Sequence, residues 1–389
     1  MKRILLFSLA GWLMASGAFA QQSSLSTTLP AQTADDKDDF KRKYEGSMSI
    51  SLTGRHFDDE VINSRFSRAA ISADFDARFL EWLDGRLSVA QIFTSGASSN
   101  LYAVTEGGTG LNALLLDEAS LTLKPFKGFK ASGGILAIDQ NPIASIIGPN
   151  SWTAATVAGS TDVGAVTLTA SALQGIPTSR GTSNQVLDED TLPLYTNGTL
   201  MAALKTDSGF GLSVAGTHFV FTDLSSTAAG DSEQLGATVI GTGKNALFAY
   251  DYRGMEYAAA ISQKFLNGDV ISLRASSLRN ELAPSGQNSA GQVKIEYKKA
   301  LDRWNIAGNI TPFRIESDAF PSTYASPSGG FTNRQGTMTN LKIENKKHKI
   351  TALAGYTKAD VLDTEAQAAR YQSDREIYTL GVEVKHDLF

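Results

Sequence analysis

Ser72–Phe79 reads SADFDARF, in which Ala73, Phe75, Ala77 and Phe79 alternate with Ser72, Asp74, Asp76 and Arg78. Successive side chains of a strand point to opposite faces, so this octet has one apolar and one charged face. The same alternation recurs along the chain. Val293, Ile295 and Tyr297 alternate with Lys294, Glu296 and Lys298; Leu341 and Ile343 with Lys342 and Glu344; Tyr257, Ala259 and Ile261 with Glu256, Ser262 and Lys264. Phe248, Tyr250 and Tyr252 are read the same way, with Asp251 and Arg253 opposite. From Tyr44 to Phe389 helical periodicity of comparable length is absent. About 16 or 17 strands of roughly 8–13 residues are expected. Their centres fall near 50, 73, 90, 119, 133, 168, 202, 215, 239, 249, 260, 274, 295, 308, 341, 353 and 381.

The connectors differ in length. Gly241–Asn245, Asn267–Asp269 and Lys346–His348 read as tight turns, whereas Asn280–Gly291, Glu316–Gly336 and Asp360–Asp374 are long, polar and rich in turn formers. Short turns at one end and long loops at the other mark an antiparallel barrel of the outer membrane. A soluble sandwich would bury its apolar face in a core, but many apolar-face positions here are Ala, Gly or Tyr, and the other face is charged. A membrane barrel inverts the arrangement, with lipid outside and water inside, and its closure satisfies every backbone hydrogen bond. Phe79, Trp82, Tyr250, Tyr252, Trp304, Phe313 and Tyr356 are assigned to aromatic girdles at the two interfaces.

Composition narrows the function. The 389 residues include no Cys, which excludes disulfides, thiolate metal sites and a cysteine nucleophile. A net charge of -5 argues against nucleic-acid binding. Residues 1–20, MKRILLFSLAGWLMASGAFA, have the basic start, short apolar run and A-x-A site of a cleaved signal peptide. Residues 21–43 are polar and aperiodic and read as a flexible periplasmic segment, too short for the plug of an energised transporter, and 44–389 form the barrel. His56, His218, His348 and His386 form no Ser/His/Asp grouping, no metal-ligand spacing occurs, and the lone acidic cluster Asp188-Glu189-Asp190 falls in a loop. Catalytic residues, metal and cofactor are therefore not expected. A barrel-embedded hydrolase and a closed structural or adhesion barrel remain the alternatives.

The chain ends EIYTLGVEVKHDLF, with Tyr378, Leu380, Val382 and Val384 on one face. A final strand ending in Phe389 resembles the assembly signal of Gram-negative outer-membrane barrels. Here the outward set is even-numbered and Phe389 is odd, so a bulge near His386-Asp387 or an outward Leu388 is required. Leu114–Pro142, LLLDEASLTLKPFKGFKASGGILAIDQNP, resembles the hairpin of general and specific porins that leads into the constriction loop. The resemblance implies passive diffusion of small hydrophilic solutes and ions through a barrel of about 16 strands (14–18), narrowed by the loop after strand five, Asp139–Asp162. It also implies a homotrimer, lipid and lipopolysaccharide contacts, and insertion by the barrel-assembly machinery.

The charged faces then line the lumen. Asp74, Asp76, Glu118, Asp251, Glu256, Glu296, Glu344 and Glu383 oppose Arg78, Lys124, Arg253, Lys264, Arg274, Lys294, Lys298, Lys342 and Lys385, close to balance. Selectivity is set by charge at the narrowest point. Because porin eyelets oppose wall bases to loop carboxylates, the resemblance assigns Arg78 and Arg274 to face Asp139 there, with Asp74, Asp76, Glu118, Arg253 and Lys294 along the pore.

Overall fold

The computed structural model describes residues 43–388 except 61, 101–106, 109–110, 145, 149, 178–191, 243–244 and 325–331. The leader 1–20, nearly all of 21–43, the acidic cluster Asp188–Asp190 and Phe389 lie outside the described residues.

Sixteen antiparallel strands form the barrel. They are β1 (Lys43–Asp59), β2 (Ile62–Leu80), β3 (Leu83–Asn100), β4 (Leu111–Leu123), β5 (Phe129–Ile138), β6 (Asn150–Val163), β7 (Val166–Ile176) and β8 (Leu194–Lys205), then β9 (Phe210–Thr222), β10 (Tyr252–Lys264), β11 (Val270–Asn280), β12 (Ser289–Ala300), β13 (Trp304–Ile315), β14 (Arg334–Asn345), β15 (Ile350–Val361) and β16 (Arg375–Asp387). Each pairs with its sequence neighbours, and β1 pairs with β16 from Ser47 opposite Asp387 to Asp59 opposite Arg375. No barrel strand therefore keeps a free edge, as a bilayer demands. At the upper end of this seam Arg375 Nε donates to the carboxylate of Asp59.

At one end the strands are joined by turns of two to five residues. In the turn between β10 and β11 Gly268 supplies a φ of +86° while Asn267 accepts the Asp269 amide at 3.1 Å, a tight reversal that a side-chain-bearing residue at 268 would strain. At the other end the loops run from 8 to 29 residues, apart from the two-residue link between β1 and β2. The expected architecture of long loops opposite short turns is present.

The strand inventory differs from the sequence reading at three places. β6 falls inside the stretch assigned to a long loop, and the segments centred at 239 and 249 are not wall strands. Among the described residues Val239–Ile240 and Leu247–Phe248 pair with each other and with no wall strand, forming a small ribbon within the loop after β9. The same loop carries a short helix α1 (Ser226–Gln234), whose Ser225 cap accepts the Ala228 amide at 3.0 Å.

Alternation sets the two surfaces of the wall. Ile50, Leu52, Ile71, Leu121, Leu168, Leu200, Ile261, Ile295 and Leu380 are exposed on the outside, although large and apolar. Only lipid suits such a surface, and a band of this kind marks an outer-membrane barrel. β4 changes parity by a bulge. Ser88 faces Glu118 while Val89 faces Leu116, leaving Asp117 as the extra residue. Leu114 and Leu116 thus face out before the bulge, and Glu118 faces in after it. β16 stays in register through Asp387, and the Leu388 amide donates to Gly46 at 2.8 Å. Of the two remedies for the terminal parity, the outward Leu388 is the one present, without a bulge.

The girdle assignment needs correction. Phe79, Trp82, Trp304 and Tyr356 face outward, but Tyr252 and Phe313 are buried inside the barrel, and Tyr250 lies in the loop preceding β10.

Candidate functional site

The loop after β5 spans residues 139–149 and turns inward. It is shorter than the expected Asp139–Asp162, because Asn150–Val163 continues the wall as β6. Its polar groups bond to side chains on the inner faces of β8, β9 and β10. Glu256 on β10 accepts the Ile146 amide at 2.9 Å and Gln140 Nε2 at 2.8 Å. Tyr195 donates to Gln140 Oε1 at 3.0 Å, and Asn141 donates to Thr217 at 3.3 Å. Gln140, Asn141, Glu256 and Thr217 are all buried. A buried carboxylate is costly unless it receives donors, so these two bonds are what make Glu256 tolerable at this position.

Beside this network the interior is apolar. Ile146, Ile147, Trp152, Tyr195, Phe221 and Tyr324 belong to one buried cluster at the loop end. Trp152 packs edge-on to Tyr195 and Tyr324 at centroid distances of 5.1 and 5.2 Å. Tyr324 comes from the loop after β13, which accepts the Gly148 amide at 3.1 Å and also holds α1 through Thr323 and Ser232. The loops after β5, β9 and β13 are thus packed together inside the rim. Sequence reasoning missed this cluster. The available signal was apolar residues on both parities at the loop ends of β9 and β13, such as Phe219, Val220 and Phe221, which means that both faces are covered.

Toward the turn end the inner wall is charged. On β2–β4, Ser88 donates to Asp74 at 2.7 Å, and Arg86 lies 3.7 Å from Asp76 and 3.2 Å from Glu118. Arg78 lies 3.7 Å from Asp84, which also pairs with Lys124. On the opposite wall, Arg274 on β11 stands directly across the ladder from Lys294 on β12. Glu296 lies between Lys294 at 3.5 Å and Lys298 at 2.9 Å. In a sixteen-stranded ring β3 and β11 are diametrically opposed; Asp76, Arg86, Glu296 and Lys298 sit toward the turn ends of their strands, whereas Arg274 and Lys294 sit near mid-strand. A wall with more acids than bases therefore faces one with more bases than acids.

The structure brings Asp74, Asp76, Glu118 and Arg78 together on one wall, and Arg274 with Lys294 on the other. Asp139 sits apart, at the start of the inward loop, with its carboxyl pushed up by burial to about 6. Arg253 is misassigned. It shares the parity of Tyr257, points out of the barrel and lies 3.6 Å from Glu281. Of the alternation that set its expected face, Phe248 and Tyr250 lie in the loop and Tyr252 points into the barrel, so Tyr257 sets the true face. Asp251 likewise lies in the loop. Among the described residues no group of three His or carboxylates could hold a metal, and the four histidines lie on β1, β9, the β14–β15 turn and β16.

No family model and no curated protein matches the chain. Solved structures do. Pseudomonas putida OprB at high pH is 12% identical over 89% of this chain and 94% of its own, with a TM-score of 0.55. Its low-pH structure is 8% identical over 89% and 92%, with a TM-score of 0.50. Salmonella typhi OmpF in complex with daunomycin is 12% identical over 89% and 98%, with a TM-score of 0.47. The likeness to OprB, at such identity, establishes the fold. The chain has the fold of the outer-membrane porins, a closed barrel integral to the outer membrane.

Proposed function

We propose that the protein is a diffusion channel for small hydrophilic solutes and ions, with a water-filled lumen narrowed by residues 139–149. The observation that carries this reading is the charged inner wall at the turn end, where Arg78 and Asp76 keep more than a third of their side-chain surface exposed. Charged groups in that state require water inside the barrel, and sixteen strands leave room for it. Solutes pass between the β2–β4 and β11–β12 walls, beside the loop held by Glu256. Ion preference arises from Arg274, Lys294 and Arg78 against Asp74, Asp76 and Glu118, with Asp139 at the loop root. No catalytic residue and no cofactor take part. Export by the leader, insertion through the C-terminal strand and a homotrimeric assembly belong to the same reading.

Planar-bilayer conductance of the purified, folded protein tests it. Stepwise openings of about a nanosiemens in concentrated salt are expected for a lumen of this strand number. Silence from protein that still migrates as a folded barrel on a gel would reject the channel in favour of a closed structural or enzymatic barrel.

A further inference from the structure

The turn end of the barrel is charged unevenly around its circumference. Residues 298–303 end β12 and turn into β13, residues 346–349 join β14 to β15, and residues 385–387 end β16. Together these three neighbouring tips hold seven Lys and Arg side chains against two acids, Asp302 and Asp387, and all of these are exposed. The tips form one surface. Lys346 donates to the Leu301 carbonyl at 2.6 Å through its ammonium and to the Arg303 carbonyl at 3.0 Å through its amide, and Lys349 pairs with Asp387. The side chains of Arg303 and Lys347 make no ion pair or hydrogen bond among the described residues. Diametrically opposite in the ring, residues 162–166 around the β6–β7 turn hold Asp162 and no base. Like charges gathered on adjacent tips repel one another unless a counter-charge covers them.

The chain carries that counter-charge next to the patch. β1 begins at Lys43 and runs beside β16, and the sequence just before it holds Asp35, Asp36, Asp38 and Asp39 with only Lys37 among them. Neighbouring strands are spaced about 4.8 Å, so the β14–β15 turn lies about 10–15 Å from β1 along the rim and the β12–β13 turn about 20–25 Å. An extended chain spans roughly 3.3–3.6 Å per residue, which lets Asp39 reach about 13 Å from Lys43 and Asp35 about 27 Å. The acidic run thus matches the patch in sign and in reach. Lys43 is already engaged by Glu45, and Lys41 and Arg42 extend the positive charge up to the strand. A tether of so few residues sets an effective concentration on the order of millimolar, at which exposed ion pairs that are weak one by one act together.

We infer that residues 35–39 dock on the basic rim formed by the β12–β13 turn, the β14–β15 turn and the end of β16, and so hold the N-terminal segment on one side of the turn-end opening. A separate acidic partner would have to make the same contacts without the tether. The inference concerns the rim and holds whether or not the lumen conducts.

The sequence has no Cys, so introduced thiols can be labelled without background. Pulsed electron–electron double resonance on the folded protein in nanodiscs tests the docking. Spin labels are placed at A34C and H348C, on the basic rim, or at A34C and A165C, in the opposite turn. In dilute salt the first pair should give a narrow distance distribution, shorter than that of the second. D35N/D36N/D38N/D39N should broaden it until the two pairs overlap, as should K299E/R303E/K347E/K385E. Salt at about 1 M, where the screening length is about 3 Å, should do the same. Combining D35K/D36K/D38K/D39K with the reversed rim should restore the narrow distribution. Heat-modifiable migration establishes that each barrel is folded. A narrow distribution that survives neutralisation of the aspartates, or a charge swap that restores nothing, overturns the docking. Equal, broad distributions for both pairs in wild type overturn it too, and leave the rim to a separate acidic partner.

Discussion

Glu256 on β10 and Ile146 in the loop after β5 are joined by a 2.9 Å bond from the Ile146 amide to the carboxylate, whose other oxygen accepts Gln140 at 2.8 Å. One wall residue thus fixes both limbs of the inward loop. Glu256→Gln keeps one acceptor and loses the other, and Glu256→Ala strands both donors in a buried setting. Each orphaned buried group costs about 1–3 kcal/mol. The expected outcome is a lower heat-modifiability temperature, more for Ala than for Gln, with noisier and larger single-channel currents. Quiet, wild-type currents from both variants would show that the loop does not need this anchor.

Arg274 and Lys294 are like charges directly across a ladder, a pairing that costs stability unless something compensates. Glu296 offsets part of it, and the lumen keeps the remainder as a positive wall. Arg274→Glu with Lys294→Glu inverts that wall. Potentials of several kT at such surfaces imply a shift of roughly several-fold in the cation-to-anion permeability ratio, toward cations. The reversal potential in a salt gradient reads it directly. Asp76→Lys with Glu118→Lys should move it the other way.

Much of this architecture is legible in sequence because the bilayer exaggerates alternation. Ser72–Phe79 and Gln292–Lys298 carry bulky apolar groups toward lipid and charges toward water, and both lie in the wall where that pattern places them. β6 was illegible for the opposite reason. Its outward Thr153, Ala155, Val157 and Gly159 differ little in polarity from its inward Ala154, Thr156 and Ala158, so no period stands out. The two spurious strands were true alternations, but their faces are satisfied by the packed loops rather than by lipid and lumen. The lumen charges followed from parity wherever a bulky outward neighbour anchored it, as Phe75 does for Asp74 and Asp76. The hydrogen bonds to Glu256 join residues 110 and 116 positions apart, and no local pattern announces them.

Asp139 and Asp231 give the loop end a pH dependence. Burial raises both carboxyls from 3.8 to about 6. Between these values the folded protein holds protons that the unfolded chain has lost, so stability falls as pH rises through this window and levels off above it. A shift of that size corresponds to a contribution on the order of 3 kcal/mol per carboxyl. Hydrogen exchange in residues 139–148 and 226–234, corrected for intrinsic rates, should be slower at pH 5 than at pH 7.5. Asp139→Asn with Asp231→Asn should make the loop end at pH 7.5 as protected as wild type at pH 5. A difference that persists in that double variant would assign the effect to other groups.

The tryptophans of the barrel divide cleanly by face, which makes the wall's sidedness measurable. Trp82 and Trp304 are 47% and 43% exposed on the outside near the turn end, whereas Trp152 is 1% exposed within the interior cluster. In liposomes containing brominated lipids, emission from the outer pair should be quenched and that of Trp152 should not, since the wall separates it from the acyl chains. W82F/W304F should therefore give emission insensitive to lipid bromines, and W152F emission that is fully sensitive. Trp152→Ala should also cost about 3–5 kcal/mol, because its neighbours Tyr195 and Tyr324 cannot close over so large a void. Bromine quenching of Trp152 equal to that of Trp82 would mean that β6 presents its other face to the membrane. The register joining β5, β6 and β7 would then be off by one residue, and the interior cluster could not stand.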